Sequence, residues 1–118
     1  MRKTLMIAAA ALAMAAAPAA SLAHHGWSSY DASQTVSVTA TLSDVTWGNP
    51  HGTAKVAHAG KTWDLILAPV SRMEARGLTR AMLGPGQTVT IEGYARRDGT
   101  AELRLERITA GGKTVELR

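Results

Sequence analysis

The chain of 118 residues contains no cysteine and no phenylalanine, and aromatic residues make up only 4% of it. The absence of cysteine excludes disulfide bridges, a thiol nucleophile and thiolate metal sites. Stability must therefore come from a core of Val, Leu, Ile and Ala, with Trp47 and Trp63 as its largest expected members. Because the sequence also lacks a glycine-rich phosphate loop and a nucleophile elbow, it predicts a protein that is not an enzyme.

The first 23 residues have the three parts of a secretory signal peptide. Arg2 and Lys3 carry positive charge, a short apolar stretch follows, and Ser21–Ala23 fits a signal-peptidase site. The apolar stretch is shorter than the ~20 residues needed to span a bilayer. We therefore expect residues 1–23 to be cleaved and residues 24–118 to form a single domain, periplasmic or secreted, without an integral membrane segment.

The charge of the chain is modest once the signal peptide is removed. The formal net charge of +4 includes Arg2 and Lys3, so the mature chain carries +2. Neither this charge nor the few aromatic residues provide the basic, aromatic groove that binds nucleic acid. The sequence thus argues against a nucleic-acid partner.

Apolar residues alternate with polar ones along most of the mature chain, which is typical of half-buried strands. Val36, Val38, Ala40 and Leu42 share one face of the first strand. The apolar parity then reverses to Val45 and Trp47, which predicts a β-bulge or a strong bend. Two further strands are expected over 51–58 and 61–68, and others over 87–94, 101–108 and 113–117.

A single short helix is expected between the third and fourth strands. Ser71 and Glu74 have the spacing of a capping box, so Ser71 is the predicted N-cap, and Gly77 suits the end of the helix. The layout predicts a mainly β fold, a small OB-like barrel of five to six strands. An open β-sandwich is the alternative, because sequence does not show whether the sheet closes.

Four segments of the chain, HHGWSSYD, WGNPHG, LAPVSRMEARGLTRAML and PGQTVTIEGYARRDG, resemble an uncharacterised family of small secreted bacterial proteins, the domain of unknown function 6152. The resemblance extends from His24 to the C-terminus. Gly26 stands where the family pattern suggests Ser. The resemblance implies a compact, mainly β domain of the cell envelope and supplies no activity.

The histidines are the residues with the clearest chemical potential. Cleavage after Ala23 would give His24 a free α-amine beside its imidazole, and His25 would add a second ring. Amine and imidazole nitrogens suit Cu(II) or Ni(II). If the lead-in, residues 24–33, folds back over the barrel, His24 and His51 would form a three-nitrogen copper site, a histidine brace. The other interpretation is that His51 is an ordinary loop residue.

His58 is not expected to join such a site. It lies seven residues from His51 on one predicted strand, which corresponds to roughly 23 Å and to opposite faces. We interpret it as a residue at the edge of a turn.

A second group of residues suggests a pocket without metal. Trp27, Tyr30 and Trp47 could line the barrel mouth and bind a small molecule, a sugar or a protein partner. Asn49 could hold the His51 ring in one tautomer. Equally, Trp47 could belong to the core and Asn49 could only stabilise its turn. The sequence does not identify a protein partner.

Overall fold

The structure, a computed structural model, describes residues 26–118, and these contain seven strands and one α-helix. The strands are β1 (Val36–Thr41), β2 (Ser43–Thr46), β3 (Thr53–His58), β4 (Lys61–Ile66), β5 (Thr88–Ala95), β6 (Glu102–Ala110) and β7 (Lys113–Glu116). The helix is α1 (Val70–Ala75), and 3₁₀ turns cover Trp27–Ser29 and Arg80–Leu83. The predicted signal peptide, His24 and His25 lie outside the described residues.

The strands form one curled sheet in the order β1-β5-β6-β4-β3-β2, and β7 pairs with β6. β4 and β6 are parallel, whereas the other pairs are antiparallel. The two strands at the ends of this order, β1 and β2, are joined only by Leu42. Because one continuous bent segment pairs with β5 in its first half and with β3 in its second, the sheet has the strand order of an OB-like barrel. The predicted fold class is confirmed.

The bend in the first long strand occurs where the apolar parity reverses. The β2–β3 register shifts between Ser43 and Thr46, and Asp44 has a positive φ of 49°. Aspartate tolerates this left-handed conformation better than most residues do. The predicted bulge is therefore confirmed, and it lets the chain turn from its β5 partner to its β3 partner.

The start of α1 differs from the prediction. Pro69 is the N-cap, and its carbonyl accepts hydrogen bonds from the N–H groups of Arg72 and Met73 at 3.0 and 3.1 Å. Ser71 lies inside the helix, so its assignment as the N-cap was wrong. The reason is that the extended Pro69 already supplies the first helical acceptor. The end is as expected, since Gly77 has a φ of +91°.

The barrel interior is filled by aliphatic side chains and Met73. Four leucines, Leu65, Leu78, Leu103 and Leu105, have no exposed surface. Trp47 and Trp63 only pack against this core and are partly buried, so their expected place as its largest members was wrong. An indole N–H needs a polar partner, and these two find theirs at the margin of the core, on Glu74 Oε2 and on the His58 carbonyl.

Candidate functional site

The described part of the lead-in is attached to the end of β5 and the loop after it. Tyr30 forms a β-bridge with Arg96, and the Asp31 N–H donates to the Ala95 carbonyl at 2.8 Å. Arg97 adds two bonds, from its backbone N–H to the Ser29 carbonyl and from Nε to the Ser28 carbonyl. These backbone contacts give the lead-in a defined path on the barrel.

Trp27 lies against two guanidinium groups on the outside of the barrel. The Cζ atoms of Arg104 and Arg118 are each 4.4 Å from the Trp27 ring centroid. The Tyr94 ring meets the indole edge-on, with centroids 6.1 Å apart. Because Leu103 and Leu105 point into the core, Arg104 between them points outward, and Trp27 covers it there. Each cation–π contact of this kind contributes about 0.5–2 kcal/mol.

Tyr30 is the largest fully buried side chain, although it is not part of the barrel core. Its hydroxyl donates a hydrogen bond to Glu102 Oε2. Burial, followed by this bond to a carboxylate, raises the pKa of Tyr30 to about 12. The ring therefore stays neutral and acts as a fixed donor that attaches the lead-in to β6.

Arg104 is covered by the two aromatic rings of the lead-in. Its Cζ atom is 4.4 Å from the Trp27 centroid and 5.9 Å from that of Tyr30. Within residues 26–118, its buried Nε and Nη1 atoms have no hydrogen-bond partner. Burial lowers the pKa of Arg104, and the nearby charge of Arg118 lowers it further. The guanidinium is therefore held mainly by aromatic faces rather than by a carboxylate.

His51 lies just before β3 and is half-buried. Its neighbour Gly52 extends the β3–β4 pairing by exchanging hydrogen bonds with Ala68 and Leu67, each at 2.9 Å. The His51 Nδ1 atom lies 3.3 Å from the Gly52 carbonyl oxygen. When Nδ1–H donates to that carbonyl, the lone pair that could ligate a metal is on Nε2.

The register of the sheet relates His51 to the lead-in. Arg104, Ile66 and Thr53 are direct neighbours across β6, β4 and β3. With strands about 4.8 Å apart, Thr53 lies about 10 Å from Arg104, and His51, two residues earlier, lies about 12 Å from it. Gly52 and Ala54 are buried, so alternation puts His51 on the outer face, the face that Trp27 covers.

The other predicted pocket residues do not all join this region. Trp27 and Tyr30 come together around Arg104. Trp47 lies near α1, where its Nε1–H donates to Glu74 Oε2 at 3.2 Å, and Asn49 is exposed in the loop before β3. His58 ends β3, with its ring 6.4 Å from that of Trp63, at the expected turn.

Arg104 and Glu102 are the residues that sequence reasoning missed. The only local signal was the alternation of charged and apolar residues in β6, which is also the pattern of any solvated strand face. A second missed feature is a groove of about 740 Å³ between β2 and the 3₁₀ turn Arg80–Leu83. Its lining includes Asp44, Val45, Arg80 and Gln87. Of the predicted site residues within 26–118, none lines this groove.

Residues 26–118 contain neither a cluster of metal-binding side chains nor a membrane-spanning helix. No group of three or more His, Cys, Asp or Glu among them could hold a metal ion. In the same part of the chain, no helix is long and apolar enough to cross a membrane.

The comparison with protein families identifies the family of the chain. The model of a family of unknown function, DUF6152, matches residues 10–104. The chain belongs to DUF6152. The matched region includes His24, His51 and Arg104, whereas Arg118 lies beyond it. The family expected from the sequence is thus confirmed, although the match ends at residue 104 rather than at the C-terminus. None of the curated proteins matches the chain.

Proposed function

We propose that this DUF6152 protein is a periplasmic or secreted binding protein that chelates copper, or nickel, through its mature N-terminus. The proposed ligands are the α-amine and imidazole of His24 together with the imidazole of His51. His25 is a further nitrogen donor beside them. The protein has no catalytic residues in this proposal, and a metal ion rather than nucleic acid is its partner.

The observation that carries the proposal is the common face of the lead-in and His51. Trp27 covers Arg104, and the strand register with the ordinary strand spacing puts the His51 backbone about 12 Å from that of Arg104. Three peptide units from Trp27 back to His24 reach at most about 10 Å. Adding the length of the two histidine side chains, the chain is long enough to bring both imidazoles to one metal ion.

The chemistry of the donors also supports the proposal. A free amine and two neutral imidazoles form a nitrogen-only set, which suits Cu(II) and Ni(II) and does not suit calcium or magnesium. The Gly52 carbonyl near His51 Nδ1 favours the tautomer in which Nε2 is the ligand atom. In its proposed role, Asn49 would help to hold the His51 ring in that tautomer.

A metal-free binding module is the second candidate, and one observation favours it. The groove beside β2 has a volume of about 740 Å³, which is in the range of small-molecule sites. It would accept a small molecule, a sugar or a segment of a partner protein. In this case, the contacts of Trp27 and Tyr30 would serve only to attach the lead-in.

The decisive experiment is a Cu(II) titration of two forms of the protein. One form begins at His24 with a free α-amine, and the matched control is the same chain acetylated on that amine. The control keeps both rings but blocks the α-amine as an N-terminal chelate, so we expect its affinity to fall at least tenfold. Equal affinity of the two forms would contradict the proposal and leave the metal-free module.

Two histidine variants test whether His51 is a ligand of the metal. His51→Ala should weaken Cu(II) binding, whereas His58→Ala, at the far end of β3, should not. Cu(II) affinity should also fall as the pH drops below about 7.7–8.0, the ordinary pKa range of an α-amine, because the amine must lose its proton to bind. A His51→Ala protein that binds as tightly as the wild type would remove His51 from the site.

The same preparation tests the proposed location. Protein recovered from the cell envelope should begin at His24, as measured by its intact mass. Retention of Met1, or a start beyond His25, would remove the basis of the metal site.

A further inference from the structure

The lead-in is attached to the barrel by a group of contacts that converge on β6. Trp27 lies 4.4 Å from the guanidinium carbons of both Arg104 and Arg118, and Tyr30 is bonded to Glu102. Arg118 is itself held in place, since its Nη1 atom donates to Glu106 Oε1 at 3.4 Å and its carbonyl accepts from Arg76 Nη1 at 3.1 Å. The Trp27 indole is therefore held jointly by Arg104 of β6 and by Arg118, which follows β7.

We propose that Arg104 and Arg118 are positioning residues for the metal site, which act by holding Trp27 against the outer face of β6. This inference rests on the proposed function, because the site that they position includes His24. The two arginines do not contact the metal. They fix Trp27, which follows the proposed ligand His24 by three positions in sequence, on the outer face of the sheet.

The effect of removing the Arg104–Trp27 contact on Cu(II) affinity depends on the fraction of molecules in which the lead-in is attached to the barrel. If only a fraction of the molecules hold Trp27 on Arg104, the apparent dissociation constant rises by the inverse of that fraction. A cation–π contact of about 1.4 kcal/mol corresponds to a tenfold change in the equilibrium constant between the attached and the released lead-in. Arg104→Ala should therefore weaken Cu(II) binding by up to about tenfold, and the double variant with Arg118→Ala should weaken it more.

Three substitutions at one position separate charge from packing. Arg104→Lys keeps a cation near the indole, so we expect Cu(II) affinity within about threefold of the wild type. Arg104→Met keeps the length and apolar surface of the side chain but loses the charge, and it should behave like Arg104→Ala. If Arg104→Met retained full affinity, the role of the guanidinium charge would be refuted.

The matched control is another arginine of the same strand. The Arg107 guanidinium bonds to Glu92 and Glu116, and it forms no hydrogen bond or ion pair with residues 26–33, the described part of the lead-in. Arg107→Ala therefore removes a comparable charge from β6, and it should change Cu(II) affinity less than twofold. An equal loss in Arg107→Ala and Arg104→Ala would indicate a general effect of charge or stability and overturn the inference.

Attachment of the lead-in is measured separately, without metal. The N–H groups of Asp31 and Arg97 are bonded to the Ala95 and Ser29 carbonyls across the lead-in contact. Hydrogen exchange at both should accelerate in Arg104→Ala and remain unchanged in Arg107→Ala, while exchange at Leu105 in β6 stays slow in both. Unchanged exchange at Asp31 and Arg97 in Arg104→Ala would overturn the anchoring role.

The two failures are distinguishable. If blocking the amine of His24 leaves Cu(II) affinity unchanged, the proposed function fails, and with it the positioning role. If affinity depends on the free amine but Arg104→Ala binds as tightly as the wild type, only the positioning inference fails. Support requires dependence on the amine, faster exchange at Asp31 and weaker binding in Arg104→Ala.

Discussion

The barrel interior and the lead-in contact are held by different kinds of interaction. The interior consists of aliphatic side chains and Met73, and no polar or charged residue of the described chain is fully buried there. On the outside of β6, Trp27 and Tyr30 are instead held by Arg104, Arg118 and Glu102. Substitutions in the core should lower the free energy of unfolding mainly by creating cavities. The strength of the lead-in contact should instead depend on the charges of its residues and on pH.

Because of this difference, substitutions that lower the stability of the domain should be distinct from those that impair the proposed metal binding. A substitution in the interior should affect unfolding of the whole domain, while a substitution at Trp27 or Arg104 should mainly release the lead-in. Local and global unfolding have different free energies in most proteins. Four measurements test the contrast between the two regions.

The largest expected effect is in the interior. Leu105→Ala removes a side chain with no exposed surface and leaves a cavity, so the free energy of unfolding should fall by about 2–5 kcal/mol. Urea denaturation gives this value. Ser37→Ala, on the exposed face of β1, is the control and should change it by less than about 0.5 kcal/mol. A small loss in Leu105→Ala would mean that the core does not dominate stability.

The second effect should appear only at alkaline pH and only in the lead-in contact. The pKa of Tyr30 is about 12 in the folded protein and 10.0 as its ordinary value, so folding favours the protonated phenol. Its contribution, about 2 kcal/mol, is complete below pH 10 and is lost as pH rises towards 12. The measurement is the free energy of unfolding against pH for wild type and Tyr30→Phe. Parallel curves above pH 10 would contradict the role of Tyr30.

The third substitution is in β5 at Gly93, beside the strand β6 that contributes both to the barrel interior and to the lead-in contact. A Cβ atom added at Gly93 would be 2.3 Å from the Arg104 carbonyl oxygen, so Gly93→Ala must displace the backbone of β6. We expect a loss of about 1–3 kcal/mol in urea denaturation. Gly48→Ala is the control, because a Cβ there meets nothing within 4 Å. Faster hydrogen exchange at Asp31 in Gly93→Ala alone would show that the two regions are coupled through β6.

The smallest effect is expected in α1, where the sequence suggested a larger one. Ser71→Ala would cost about 1 kcal/mol if Ser71 were the N-cap. Since Pro69 is the cap and Ser71 is exposed, the melting temperature should remain almost unchanged. Met73→Ala is the comparison, because this fully buried residue attaches α1 to the core. A clear loss in Ser71→Ala would require a helix that begins later than the structure shows.

Sequence reasoning succeeded where one local pattern controls the result. The alternation over Val36–Thr41 predicted a half-buried strand, and the parity change before Val45 predicted the bulge at Asp44. It failed where two local signals compete. Ser71 and Glu74 match a capping box, but Pro69 begins the helix, and Glu74 instead accepts a hydrogen bond from Trp47.

The candidate site was less accessible to sequence reasoning. The histidines and Trp27 could be selected for their chemistry, but their relation to β6 depends on contacts between distant parts of the chain. The hydrogen bond from Tyr30 to Glu102, for example, joins residues 72 positions apart. No local periodicity encodes such a pair, and Arg104 resembles any outward-facing residue of a strand.

By itself, the sequence determined the mainly β class, the position of the bend and the absence of cysteine chemistry, because alternation and composition act over neighbouring residues. Only the tertiary structure decided that β4 pairs in parallel with β6 and that Trp27 covers Arg104. Strand order and outer-face contacts follow from the closing of the whole sheet. The curled sheet puts Trp27 and His51 on the same outer face, and the proposed metal site rests on this placement.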